Sequence, residues 1–235
     1  TEDDISHRIA VVGFASQSGN GDNTELLSIA GSNSGSVGVA YNDITDQNLK
    51  DVLQKVNTSD GQTMVSNAIG ALAANGATQT NLGLDMAQRI LSANPVQPNE
   101  TRYRVVIVFT DGAPTSYNGF EKDAANDAIT HADAIKTAGA TVYTIGIFPG
   151  ANATSAGTEP KGDLGQNSSS LNSACNWFMQ QVSSNNGTPR TPSYYLSAAD
   201  TGSLSNIFQQ ISDNIESGGS SSTLTEESVV RDIIS

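Results

Sequence analysis

Two stretches of the 235-residue chain place oxygen donors where chemistry is possible. The apolar run Tyr103-Arg104-Val105-Val106-Ile107-Val108-Phe109 reads as a strand and ends in Thr110-Asp111-Gly112. The Asp111 carboxylate would therefore stand at the rim of a sheet, where ligands of open α/β folds bind. Earlier, Gly76-Ala77-Thr78-Gln79-Thr80-Asn81 opens a helix and offers the hydroxyls of Thr78 and Thr80. Hydroxyl and carboxylate oxygens are hard donors, suited to Mg²⁺, Mn²⁺ or Ca²⁺ rather than a thiophilic ion. Taken singly, each feature has a plain structural explanation. Asp-Gly is a common turn pair, and Thr before an apolar run is a frequent N-cap.

The elements that must position these groups follow from hydropathy periods. Residues 8–14 read as a buried strand, and 16–36, rich in Ser, Gly and Asn, as loop or hairpin. Helical spacing covers 48–56 (Leu49, Val52, Leu53, Val56) and 63–74 (Met64, Ala68, Ile69, Leu72), with Gly76 as the stop of the second. A further helix spans about 81–92, a helix 121–138, a strand 141–148, a polar loop 149–168, a helix 169–183 and a short strand 194–197. Leu204, Ile207, Phe208, Ile211 and Ile215 mark a last amphipathic helix. Apolar strands separated by amphipathic helices predict an α/β fold, with a parallel sheet covered on both faces.

In order and spacing these segments resemble the von Willebrand factor type A domain, also called the integrin I-domain fold. GATQTNLGLDMAQRIL resembles the family's Thr loop and VVIVFTDGAPTS its strand-Thr-Asp-Gly element. RIAVVGFAS resembles its second strand, ATVYTIGIF its fifth, and YYLSAADTGSLSNIFQQISDNI its last strand and helix. The resemblance implies a doubly wound, mostly parallel, Rossmann-like sheet over about residues 1–217, with polar insertions at 16–36 and 149–168. Residues 218–235 are then a linker and the start of a following segment. It also implies a metal-ion-dependent adhesion site with Thr78 and Asp111 as ligands, because the first Thr of the family's Thr-x-Thr pair coordinates. A ligand's Glu or Asp then takes the cation's open position. No bond is broken, so the expected role is adhesion and not catalysis.

The family's Asp-x-Ser-x-Ser element, with the central first strand that precedes it, is not found in the sequence. The nearest stretch, Asp4-Ile5-Ser6-His7-Arg8, has Arg at the position of the second Ser. Three of five side-chain ligands are then missing, and Mg²⁺ binding by this chain is expected to be weak or absent. A fragment of a longer polypeptide is the leading explanation. A strand supplied by a partner chain, or a sheet closing without it, are the alternatives.

The segments 172–185 and 193–198 resemble A domains of Gram-positive cell-wall-anchored surface proteins and pilus-tip adhesins. That similarity implies an extracellular, cell-surface or cell-wall location and a protein ligand such as a host extracellular-matrix protein. Two other readings compete: a metal-independent scaffold for protein–protein interaction, and an α/β-fold enzyme. Against the enzyme, the sequence has no G-x-G-x-x-G after a strand, no P-loop and no G-x-S-x-G elbow.

Composition narrows the partners further. Eleven Lys and Arg against 24 Asp and Glu give a net charge of −13, which opposes nucleic acid or an anionic membrane as the main partner. No apolar run approaches the roughly 20 residues that span a bilayer. The single Cys175 excludes an internal disulfide and sits in an apolar stretch, Ala174-Cys175-Asn176-Trp177-Phe178, that reads as core. Of the two histidines, His7 precedes a strand and His131 is expected on a solvated helix face.

Overall fold

The computed structural model describes residues 7–15, 25–27, 38–72, 76–110, 113–116, 119–198 and 203–215. The N-terminal block is built from two-residue strands. β1 (Arg8–Ile9) and β2 (Val12–Gly13) divide the run expected to be one strand, and β3 (Glu25–Leu26) and β4 (Val39–Ala40) follow. β2, β3 and β4 form an antiparallel sheet in that order. β1 turns the other way and pairs antiparallel with β5 (Gln54–Lys55). The insertion expected at 16–36 lies outside the described residues except for 25–27, as does the segment 218–235.

Between β4 and β5 runs α1 (Asp46–Asp51), opened by a reciprocal capping box between Thr45 and Asn48. The helix expected over 48–56 is therefore shorter and earlier. Its apolar residues still serve the core, since Leu49 and Val52 are buried. The chain leaves the helix because Val56 N–H donates to the His7 carbonyl at 3.0 Å, extending the β1–β5 pairing. α2 (Ser59–Gly70) begins at the Thr58 cap and buries Gly61, Val65 and Ala68. It too starts and stops earlier than its pattern suggested. Ile69 and Leu72, expected on the buried face, are exposed, and Gly76 belongs to the next turn.

The remaining elements follow the hydropathy pattern closely. They are α3 (Thr80–Ala93), β6 (Val105–Thr110), α4 (Lys122–Thr137), β7 (Thr141–Gly146), α5 (Leu171–Val182), β8 (Tyr195–Ser197) and a helix over 204–215, α6. β6, β7 and β8 form a parallel sheet in that order, with Val105 opposite Thr141 and Thr144 opposite Tyr195. Helices cover both faces of this sheet. On one, Val108, Val142 and Tyr195 pack with Leu84 of α3, the alanines of α4, and Phe178 and Met179 of α5. On the other, Tyr143, Ile145 and Leu196 meet Ile207 and Ile211 of α6. Helix α3 ties the two blocks together: Leu84 joins the sheet core, while Met86 and Ile90 pack with Leu26, Leu49 and Val52.

Strand β6 departs from the expectation of burial on both faces. Ile107 and Phe109 are 41% and 43% exposed. Among the described residues no strand pairs with its second edge.

The polar stretch 149–168 is ordered because α5 supplies its hydrogen bonds. Asn176 accepts from Asn152 N–H at 2.8 Å and donates to the Gly150 carbonyl at 2.9 Å. One turn on, Gln180 donates to the carbonyls of Ala153 and Ser155 at 2.9 and 3.0 Å. A long loop at a core needs such partners for its backbone.

Candidate functional site

Thr78 sits at the junction between the turn before α3 and the segment that follows β6. It forms an antiparallel bridge with Thr115: Thr78 N–H donates to the Thr115 carbonyl at 3.0 Å, and Thr115 N–H donates back at 2.9 Å. Thr78 is not an N-cap. The N-cap of α3 is Gln79, which makes no side-chain cap, and Thr80 is the first helical residue. Asp111 and Gly112 lie outside the described residues. Thr110, just before Asp111, is the last residue of β6 and is buried, and its carbonyl accepts from Ile147 N–H at 2.9 Å. The bridge thus fixes Thr78 to a residue four positions beyond Asp111 in the chain.

Two oxygens of the first turn of α3, Thr80 Oγ1 and Asn81 Oδ1, are buried with no hydrogen-bond partner among the described residues. Such a group costs about 1–3 kcal/mol when left unsatisfied. Both are hard oxygen atoms, two and three residues after Thr78 in the chain, of the donor type that fits a divalent cation such as Mg²⁺, Mn²⁺ or Ca²⁺. Among the described residues, no group of three or more His, Cys, Asp or Glu is placed to hold a metal. A site here would draw on hydroxyls as well as carboxylates.

The loop that carries Thr115 is held by Glu121, a residue the sequence reading did not single out. Thr115 Oγ1 donates to Glu121 Oε1 at 3.2 Å and Ser116 Oγ to Oε2 at 2.6 Å. The backbone N–H of Glu121 donates to the Pro114 carbonyl at 2.9 Å. The available signal was a Thr-Ser pair followed by a carboxylate directly before an alanine-rich helical run.

Other singled-out residues serve the scaffold. His131 is not on a solvated face. It is half-buried between α3 and α4, with Nδ1 2.7 Å from Gln88 Oε1 and 3.7 Å from Asp85 Oδ1. Asp85 also accepts from the Tyr41 hydroxyl at 2.5 Å. Burial, then the Asp85 hydrogen bond and charge, push Tyr41 up to about 12. Cys175 is a core thiol as expected, and burial pushes it up to about 12 from 9.0. The folded chain at pH 8 should accordingly resist a thiol reagent, with labelling slowed on the order of 10³-fold relative to the denatured chain. Rapid labelling of native protein, followed by mass spectrometry, would show that Cys175 is not buried.

The model of the von Willebrand factor type A domain matches residues 50–210, more than half of the chain. The chain belongs to that family. No curated protein and no solved structure gives a significant match. The matched span of the von Willebrand factor type A domain contains α3, the whole β6–β7–β8 sheet, and both Thr78 and Asp111. Its Rossmann-like α/β architecture accounts for the parallel sheet and for helices on both faces. Domains of this family are generally protein-interaction or adhesion modules.

Proposed function

We propose that this von Willebrand factor type A domain is a metal-ion-dependent adhesion module in which Thr78 and Asp111 hold a divalent cation, Mg²⁺ or else Mn²⁺ or Ca²⁺. When bound, the cation supplies an open coordination position that the carboxylate of a protein partner fills. The observation that carries the proposal is the Thr78–Thr115 bridge, which holds the loop before α3 against the segment after β6. The unsatisfied Thr80 and Asn81 oxygens lend further support.

The wider setting is an extracellular one: a surface or pilus-tip protein anchored to a Gram-positive cell wall, with a host matrix protein as partner. Its support is the sequence similarity of segments 172–185 and 193–198, together with the long polar insertion braced by α5.

The test is a Mn²⁺ titration of the full chain followed by the paramagnetic resonance of the free ion. With few side-chain ligands, binding at about millimolar strength is expected. Asp111→Ala should weaken it by about tenfold or more, and Thr78→Ala by less, since a neutral hydroxyl contributes less than a carboxylate. Binding unchanged in both variants would reject the cation site and favour a metal-independent interaction scaffold. Micromolar binding by the wild-type chain would overturn the expectation of a weak site.

A further inference from the structure

We infer that Glu121 is a positioning residue: its carboxylate clamps the loop 113–116 and, through the Thr115 bridge, sets where Thr78 is held. The connection is continuous. The two Glu121 oxygens accept from the hydroxyls of Thr115 and Ser116 at 3.2 and 2.6 Å, and its N–H holds the Pro114 carbonyl at 2.9 Å. Thr115, only 7% exposed, then makes both backbone hydrogen bonds to Thr78. The Ser116 bond has the length of a strong charge-assisted hydrogen bond, and the longer Thr115 bond adds a weaker second hold on the same short loop.

Glu121 is itself fixed from both sides by the insertion 149–168. On one side, Phe120 and Leu164 exchange backbone hydrogen bonds at 2.8 and 2.9 Å. On the other, Lys122 N–H donates to Asp163 Oδ1 at 2.8 Å, and Lys122 Nζ reaches Glu159 Oε1 at 3.1 Å and the Pro160 carbonyl at 2.9 Å. The insertion therefore acts as a brace behind the loop that carries Thr115. A change in the insertion reaches Thr78 through Glu121.

Two readouts test this, and they separate it from the cation site on which its functional meaning rests. The first is amide hydrogen exchange at Thr78 and Thr115, which report the bridge whether or not a metal binds. In Glu121→Ala both amides should exchange at least about tenfold faster, while Ser184 N–H, bonded to the Val142 carbonyl at 2.8 Å, stays as slow as in wild type. Glu121→Gln keeps one acceptor oxygen and offers a donor to the second hydroxyl, so both amides should stay within about threefold of wild type. The second readout is Mn²⁺ affinity, which Glu121→Ala should weaken by about tenfold, as loss of an orienting partner behind a metal ligand does.

Bridge amides unmoved in Glu121→Ala, or equally fast in the Ala and Gln variants, would overturn the clamp. If Asp111→Ala abolishes Mn²⁺ binding while Glu121→Ala leaves it unchanged, the positioning role is rejected and the cation site survives. If Asp111→Ala has no effect but the Glu121→Ala amides open, the cation site is rejected and the clamp stands.

Discussion

Replacing Asn176 with alanine is expected to lower stability by about 3 kcal/mol, although the substitution removes a polar group from the core. The side chain uses its whole hydrogen-bonding capacity. Its oxygen accepts from the Tyr195 hydroxyl at 2.7 Å and from Asn152 N–H at 2.8 Å, and its amide donates to the carbonyls of Gly150 and Asn172, each at 2.9 Å. Tyr195 is fully buried, so its hydroxyl would be stranded away from water. At about 2–4 °C per kcal/mol for a domain of this size, the melting temperature should fall by about 6–12 °C. Thermal unfolding followed by circular dichroism measures this directly. The mechanism has its own check. In the Asn176→Ala background, Tyr195→Phe should cost much less than it does alone, because the stranded hydroxyl is then removed. Additive losses would mean that the two side chains do not act as a pair.

Asn176 also shows where the sequence stops being legible. Ala174-Cys175-Asn176-Trp177-Phe178 reads as an apolar helix segment, and α5 is indeed there, with Cys175 and Phe178 buried. Periodicity finds the face but is blind to a polar residue on it whose partners come from another loop. Asn176 and Gln180 lie one turn apart and together order the insertion, a relation that depends on the fold. The same limit hides Glu121, whose partners precede it by five and six residues across a turn.

Long elements were legible because a buried face repeats every 3.6 or 2 residues. α3, β6, α4, β7 and α5 therefore lie close to their expected spans, and the resemblance built on them led to the right family. The N-terminal block was not. A two-residue strand such as β1 or β5 carries no period, and its existence depends on a backbone partner dozens of positions away. Of the two expected site residues, the described structure places Thr78 on a bridge that no propensity predicts. Asp111 lies outside the described residues.

Gly119→Ala is expected to be at least as damaging as the loss of Asn176, at about 3 kcal/mol or more, and to loosen the brace behind Thr78. Gly119 has φ +80°, a backbone conformation that costs an L-residue roughly 1–2 kcal/mol. Sterics then decide the outcome. A Cβ at this position would lie 2.1 Å from the Leu164 carbonyl oxygen and 3.1 Å from two backbone atoms of Gly165. All three neighbours are backbone atoms of residues 164–165, so no flexible side chain can give way. The adjacent Phe120–Leu164 bridge would have to open, and Phe120, fully buried against Phe178, would lose its seat. Two other glycines serve as controls. Gly139 has a similar φ of +82°, but its nearest neighbour would be 3.8 Å away, so Gly139→Ala should cost only the conformational share, about 1–2 kcal/mol. Gly162 has open space around it and no positive φ, so Gly162→Ala should be neutral to within about 0.5 kcal/mol. Trypsin supplies a local readout at the exposed Lys161, inside the insertion. Cleavage there should accelerate in Gly119→Ala and not in Gly139→Ala, because only the former displaces residues 164–165. Equal cleavage rates in the two variants would mean that the insertion is not held through its contact with Gly119 and Phe120. The coupling from insertion to Glu121 to Thr78 would lose its first link.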